Sequence, residues 1–167
     1  MSNNNFVQSL FTFSIASCPE FSQQIQKVEI PEIVLNAIQI STNKDKDIWQ
    51  AGDKISFGEI PVSFILDAEL KSWKEIRKWV LLNSSTKTYY SDATLQLLTN
   101  NKNPYLKIDF YDMFPLNCPG FPLDNSVNDN EPIILTVNFK FNDFALKDLH
   151  GDIVDDTELI FKDIVVG

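Results

Sequence analysis

The chain has 167 residues, of which 44% are hydrophobic and 12% aromatic, and this is enough apolar material for the core of one domain. Its net charge is −9 and Arg77 is the single arginine among 14 basic residues, which argues against binding the outside of a nucleic acid duplex through a basic patch. The sequence predicts no signal peptide and no membrane span, and it favours folding in a reducing cytoplasm with Cys18 and Cys118 as free, largely buried thiols.

Alternation of apolar and polar residues dominates the chain from its first third onward. The pattern is that of half-buried strands, and it is clearest near the end, where every second residue of ILTVNFKF is apolar. The sequence therefore predicts a mainly β domain with antiparallel strands. The clearer predicted strands cover residues 11–15, 60–66, 106–110 and 133–142, and the weaker ones cover 24–30, 37–42, 48–51, 54–57 and 93–98.

One segment has helical spacing, and it predicts a single helix over about residues 68–82. Asp67 is the predicted N-cap, and the apolar stripe at steps of three and four is formed by Leu70, Trp73, Ile76 and Val80. The opposite face carries Lys71, Lys74 and Lys78. These lysines form either a solvated helix face or a docking face for an acidic neighbour.

Residues that could carry chemistry are sparse. His150 is the only histidine, so no second histidine completes a metal site or a proton relay, and the five glycines are too scattered for a phosphate-binding loop. Asp109 and Asp112 are predicted to face opposite sides of a strand. The acids between residues 152 and 158 lack the spacing of a calcium loop and read as a solvated acidic segment. We therefore predict no catalytic residue, no metal, no cofactor and no enzymatic activity.

The order of short motifs along the chain resembles that of the tube proteins of contractile phage tails, and it is this order rather than any single motif that carries the resemblance. The similarity spans roughly residues 6–144. The motifs in chain order are SLFTFSI, KVEIPEIVLNAIQI, AGD, IPVSFILD, WKEIRKWV, YSDATL, DFYDMFPLNCP and IILTVNFKF.

The resemblance implies a β-barrel or sandwich with one flanking helix, which assembles as six-membered rings that stack into a tube. The implied partners are further copies of the chain, a sheath protein, and baseplate or terminator proteins, all in a virion tail made in the host cytoplasm. DNA or protein effectors would pass through the channel, with no sequence-specific binding of DNA. An acidic chain suits that passage, because like charges on the wall suppress sticking of a polyanion.

The resemblance also implies that a hairpin over about residues 38–57 reaches the adjacent ring. Its charged end, Lys44, Asp45, Lys46 and Asp47, alternates in sign and could set a register between neighbours, while Ile48 and Trp49 are predicted apolar anchors. These six residues are the predicted interface between rings.

The chain departs from the family pattern after residue 144, where an acidic extension over residues 145–167 follows the predicted tube-like domain of residues 1–144. Its apolar residues between 159 and 166 could form one more strand. We expect the extension to dock on a neighbouring subunit or a partner, with the lysine face of the helix as a candidate surface. The predicted contact residues are Asp152, Asp155, Asp156 and Glu158.

Several functions remain open at this point. The main tube subunit is one, a tube-end protein at the baseplate junction or the terminator is a second, and a tube of a non-phage contractile injection system is a third. From a different class, a monomeric β-barrel that binds a small apolar ligand would share the alternating strands and the aromatic interior.

Overall fold

The computed structural model describes residues 10–126, 130–148 and 150. Within these residues the chain forms nine strands and two helices. In chain order they are β1 (Phe11–Ile15), α1 (Pro19–Gln23), β2 (Ile25–Val28), β3 (Ile33–Ile40), β4 (Ile48–Phe57), β5 (Ile60–Ile65), α2 (Lys71–Asn83), β6 (Ser91–Leu98), β7 (Pro104–Pro115), β8 (Ile134–Lys140) and β9 (Asp143–Lys147).

Seven strands form one antiparallel sheet, in which six follow each other in the order β1-β6-β7-β8-β5-β2 and the seventh, β9, pairs with β7 as a branch. The long strand β7 connects two parts of this sheet, because its first part pairs with β6 and β9 while Phe114 and Pro115 pair with β8. The remaining two strands, β3 and β4, form a separate two-stranded sheet. The predicted class, mainly β and antiparallel, is confirmed.

The alternating pattern places one face of each strand of the seven-stranded sheet in the core. In β5 and β8 the buried residues lie opposite each other, with Val62 paired to Val137 and Phe64 paired to Leu135. Phenylalanines fill much of the core: Phe21, Phe64, Phe110 and Phe139 are among the largest fully buried side chains. Aromatic side chains bury more apolar area than any others, so they dominate the packing energy of this core.

Helix α2 begins at Lys71, three residues later than predicted, because Leu70 adopts a left-handed conformation with φ 57°. The N-cap is Leu70 and not the predicted Asp67, although the Asp67 carboxylate accepts a hydrogen bond from the Lys71 N–H at 3.1 Å. The buried line is Ser72, Ile76 and Trp79. The predicted stripe was therefore displaced, with Trp73 and Val80 only partly buried at its edge.

Helix α1 was not predicted. It has five residues, too few to show helical spacing, and it starts with Pro19 at its first position, where a missing N–H costs nothing. Its Phe21 side chain is fully buried and its Phe21 N–H donates to the Glu75 carboxylate of α2 at 2.9 Å. The two helices therefore pack together on one side of the sheet.

Strand β9 includes residues on both sides of the boundary expected after residue 144. Lys147 at its end forms a salt bridge of 2.8 Å with Asp109 on β7, and both side chains are mostly shielded from solvent. The acidic extension beyond residue 150, with the expected extra strand at 159–166, lies outside the described residues.

Candidate assembly surface

The most exposed apolar part of the structure is the hairpin formed by β3 and β4, called here the arm (residues 33–57). The two strands pair only with each other, and no other strand of the described chain extends their sheet. All eight residues of β3 are exposed, and in β4 only Gly52 and Phe57 are partly covered. The arm thus begins at Ile33, five residues earlier than predicted.

Both faces of the arm are apolar. Cross-strand partners share a face, and so do residues two apart on one strand. The register pairs Leu35 with Ile55, Gln39 with Trp49, and Ile40 with Ile48. The first face therefore carries Ile33, Leu35, Trp49 and Ile55, and the second face carries Val34, Ile38, Ile40 and Ile48.

This exposure is unusual for a strand pair. A single two-stranded hairpin is marginally stable in water, and strands with one exposed face normally alternate between apolar and polar residues. Here Trp49 is 66% exposed and Ile48 58% exposed. Exposed apolar patches of this kind mark interaction sites. The arrangement suits a segment that other surfaces cover on both sides.

The arm has one irregularity in its middle, which explains the AGD motif. The register shifts between Leu35 and Ala37, where β4 contributes more residues than β3. At this point a Cβ atom on Gly52 would lie 2.6 Å from the backbone oxygen of Asn36. Only glycine allows the two backbones to come this close, so Gly52 sets the course of the outer half of the arm.

The end of the arm contains the six residues predicted as an interface between rings. Lys44, Asp45, Lys46 and Asp47 are exposed in the turn, and Ile48 and Trp49 begin β4. Within the described chain none of the four charged side chains forms a salt bridge; Asp47 instead accepts a hydrogen bond from Gln39 at 2.6 Å. The structure brings all six to one end, and their contact with another ring stays a prediction.

The base of the arm is fixed to the core through Phe57. Its ring lies 5.2 Å from that of Phe141 and 5.4 Å from that of Phe144, measured between centroids. The Gly58 N–H also donates to the Glu32 carbonyl at 3.0 Å. The arm therefore leaves the domain from a well-packed position.

Sequence reasoning missed the inner half of the arm as a surface. Ile33, Val34 and Leu35 are all exposed, but they precede the hairpin predicted over residues 38–57. The run EIVLNAIQI carries apolar residues on both faces of one strand, and this signal fits either a buried central strand or an arm covered by neighbours.

A second surface lies along α2, where the structure brings together Lys71, Lys74 and Lys78 on one exposed line. Lys71 pairs with Glu69 at 3.0 Å, while Lys74 and Lys78 have no salt bridge among the described residues. Lys78 also borders a groove of about 350 Å³ between α2 and the segments that lead into α1 and β6. The groove wall includes Cys18, Trp79, Leu82, Tyr89 and Tyr90.

Residues with potential chemistry are not gathered into a site. In the described part of the chain no group of three or more His, Cys, Asp or Glu side chains could hold a metal ion. Cys18 and Cys118 are free, as predicted, and burial raises the pKa of the Cys18 thiol to about 11. His150 is exposed. The predicted contacts Asp152, Asp155, Asp156 and Glu158 lie outside the described residues.

None of the helices in the described ranges combines the length and the apolar character that a membrane crossing requires.

Comparison with known proteins places the fold. No protein-family model matches the sequence. No curated protein matches it either. Several solved structures match over most of their own length. A chain of the anti-feeding prophage (AFP) baseplate is 17% identical with a TM-score of 0.67, covering 89% of this chain and 99% of that one.

Two further matches come from an extracellular contractile injection system called PVC. A chain of its sheath-tube complex is 12% identical with a TM-score of 0.68, covering 88% of this chain and 94% of that one. A chain of its sheath/tube terminator is 13% identical with a TM-score of 0.69, covering 88% and 99%. The fold of this chain is therefore one found in contractile injection system particles, as the resemblance in sequence predicted.

Proposed function

We propose that this protein is a structural, non-enzymatic subunit of the tube of a contractile tail or injection system. In the proposed assembly, copies of the chain form six-membered rings around a channel, and the rings stack into a tube. The shared fold supports this proposal through the sheath-tube complex, the baseplate and the terminator in which it occurs.

The observation that carries the proposal is the arm. Eight apolar side chains lie exposed on its two faces, and an isolated chain would leave all of them in water. Covering each large side chain fully is worth roughly 1.5–3 kcal/mol, so a partner surface on each face yields a large driving force for association. A second copy of the chain is the partner that a repeating assembly provides. In the proposed tube the arm of each subunit lies between subunits of the adjacent ring.

The net negative charge of the chain is compatible with a channel through which DNA or proteins pass. With a net charge of −9, a ring of copies presents a strongly acidic body, and an acidic channel wall repels a polyanion rather than binding it. The proposed cargo is DNA or protein effectors in transit, with no sequence-specific contact. A sheath protein on the outside and baseplate or terminator proteins at the ends complete the proposed set of partners.

A tube-end protein is the second candidate. It is favoured by the matches to a baseplate chain and to a sheath/tube terminator chain, whose TM-scores of 0.67 and 0.69 lie within 0.01 of the 0.68 for the sheath-tube chain. A tube-end subunit would form one ring and stop, because one of its ring faces would bind a different protein. The main tube subunit would continue to stack.

Negative-stain electron microscopy with a mass measurement of the purified chain over a range of concentrations tests the proposal. Six-fold rings that stack into tubes support the main tube subunit, and single rings support the tube-end candidate. A strict monomer at every concentration would contradict both and would favour the monomeric ligand-binding barrel.

A further inference from the structure

The groove beside α2 and the lysines along that helix form one continuous surface, called here the α2 groove. Its apolar side consists of Trp79, Leu82, Tyr89 and Tyr90. Trp79 is buried at the bottom, where its indole N–H donates to the Tyr89 carbonyl at 2.9 Å. The rim is exposed, since 51% of the Tyr90 surface is accessible to solvent. Leu81, which follows Lys71, Lys74 and Lys78 on the same helix face, is also 51% exposed. An apolar floor with an exposed aromatic rim fits a short peptide segment with one or two large apolar side chains.

The charged residues around the groove determine which sign of charge its occupant should carry. Lys74 and Lys78 project from the same helix face, four residues apart, and neither is neutralised by a carboxylate in the described chain. Glu75 is the one acidic residue in the groove wall, and its carboxylate already accepts the Phe21 N–H at 2.9 Å. The two lysines therefore favour an acidic segment.

We propose that the α2 groove binds the C-terminal segment of the same chain, residues 151–167. This segment has five acids, Asp152, Asp155, Asp156, Glu158 and Asp163, against a single lysine. Its run Leu159, Ile160 and Phe161 supplies the large apolar side chains that the groove accepts. In the bound arrangement the acids before this run face Lys74 and Lys78, and the run itself lies against the aromatic rim.

Chain length and tethering favour an occupant from the same copy. Eight residues separate His150 from Leu159 and span roughly 30 Å in extended form, twice the radius of gyration of about 15 Å of a compact chain of this size, so the apolar run reaches a large part of its own domain. A tethered segment also has an effective concentration in the millimolar range, far above that of a second copy in dilute solution. The contact is made within one chain, so it does not depend on whether tubes form.

Cysteine cross-linking in the full-length protein tests this inference, in a Cys18→Ala and Cys118→Ser background, because the Cys18 thiol lines the groove and would compete for the reagent. The test pair is Leu81→Cys with Thr157→Cys, two positions outside the proposed anchor residues. The matched control replaces Leu81→Cys by Lys102→Cys. Lys102 lies beyond the far end of β6, and the eight residues of that strand separate it from Tyr90 by roughly 26 Å. A short bismaleimide is added to dilute protein, and thermal melting confirms that each variant is folded.

We expect a cross-link at monomer mass whose yield is at least five-fold higher for the test pair than for the control pair. Reversing the charges with Lys74→Glu and Lys78→Glu, or adding salt to about 1 M, should lower that yield several-fold, because screening weakens exposed charge pairs. The pair Lys27→Glu and Lys102→Glu, which changes the net charge equally, should leave the test pair unaffected.

Three results would overturn the inference. Equal yields for the test and control pairs would mean that the segment is unbound. A product at dimer mass that rises with protein concentration would mean that the groove binds another copy. A yield unaffected by Lys74→Glu and Lys78→Glu would mean that the lysines do not select the segment.

Discussion

Replacing Ile48 and Trp49 by aspartate is the sharpest perturbation of the arm. The two side chains are 58% and 66% exposed, so they contribute little to the isolated subunit. Covering the remaining surface at an interface is worth on the order of 1 kcal/mol for the isoleucine and 3 kcal/mol for the tryptophan, at roughly 25 cal/mol per Å². Together they account for about 4 kcal/mol per contact, or roughly a thousand-fold in the association constant.

The double substitution Ile48→Asp with Trp49→Asp should therefore abolish rings and tubes at concentrations where the unmodified chain assembles. The free energy of unfolding of the monomer should change by no more than about 0.5 kcal/mol, because exposed positions rarely contribute more. Sedimentation velocity measures the first quantity, and urea denaturation followed by circular dichroism measures the second.

The matched control is Ile48→Val with Trp49→Phe, which keeps both positions apolar and should still assemble. Tubes of normal appearance from the double aspartate variant would refute the reasoning. So would a large loss of monomer stability, since it would mean that the two side chains pack within the subunit.

Three further outcomes follow from the described contacts. Gly52→Ala places a Cβ atom 2.6 Å from the backbone of the opposite strand, so the arm should lose hydrogen-exchange protection and assembly should weaken while the melting of the core stays unchanged; normal assembly would contradict this. Burial alone would raise the pKa of Asp67. Its hydrogen bonds, among them the one from the Lys71 N–H, together lower the pKa by more than burial raises it, so the pKa lies below its usual value of 3.8. Asp67→Asn should therefore lower the stability at pH 7 by no more than roughly 0.5 kcal/mol, because the amide oxygen still accepts these hydrogen bonds but carries no charge and the site is open to solvent, and this difference should vanish as the pH falls through the folded-state pKa; a difference constant with pH in urea titrations would argue against it. Finally, Cys118 should react with a thiol reagent well before Cys18, which is buried and has a pKa of about 11, and the reverse order would contradict the packing around α1.

The strands of the seven-stranded sheet could be predicted from the sequence because each has one solvent-exposed face and one buried face. The alternation in β8, where Leu135, Val137 and Phe139 are buried, predicts both the strand and the face that it turns to the core. The motif order added the fold type, which alternation alone does not provide. Both depend on local patterns that survive in a single sequence.

The predictions from sequence were wrong or incomplete where contacts between distant parts of the chain determine the local structure. Helix α2 starts late because Leu70 takes a left-handed conformation, a choice of the connecting segment that no side-chain pattern encodes. Helix α1 is too short for periodicity, and it is held by its Phe21 and Glu75 contacts. The inner half of the arm, beginning at Ile33, carries the apolar residues of a buried strand, and only its pairing shows that it leaves the sheet.

In the proposed assembly the arm is the element that joins copies of this chain. A cryo-EM map of the assembled protein tests it most directly, by measuring the exposed fraction of the arm side chains in the assembly. We expect Trp49, which is 66% exposed in the single chain, and the apolar residues on both faces to be covered by neighbouring copies. An assembly in which the arm projects into solvent, with the contacts made elsewhere, would contradict the account.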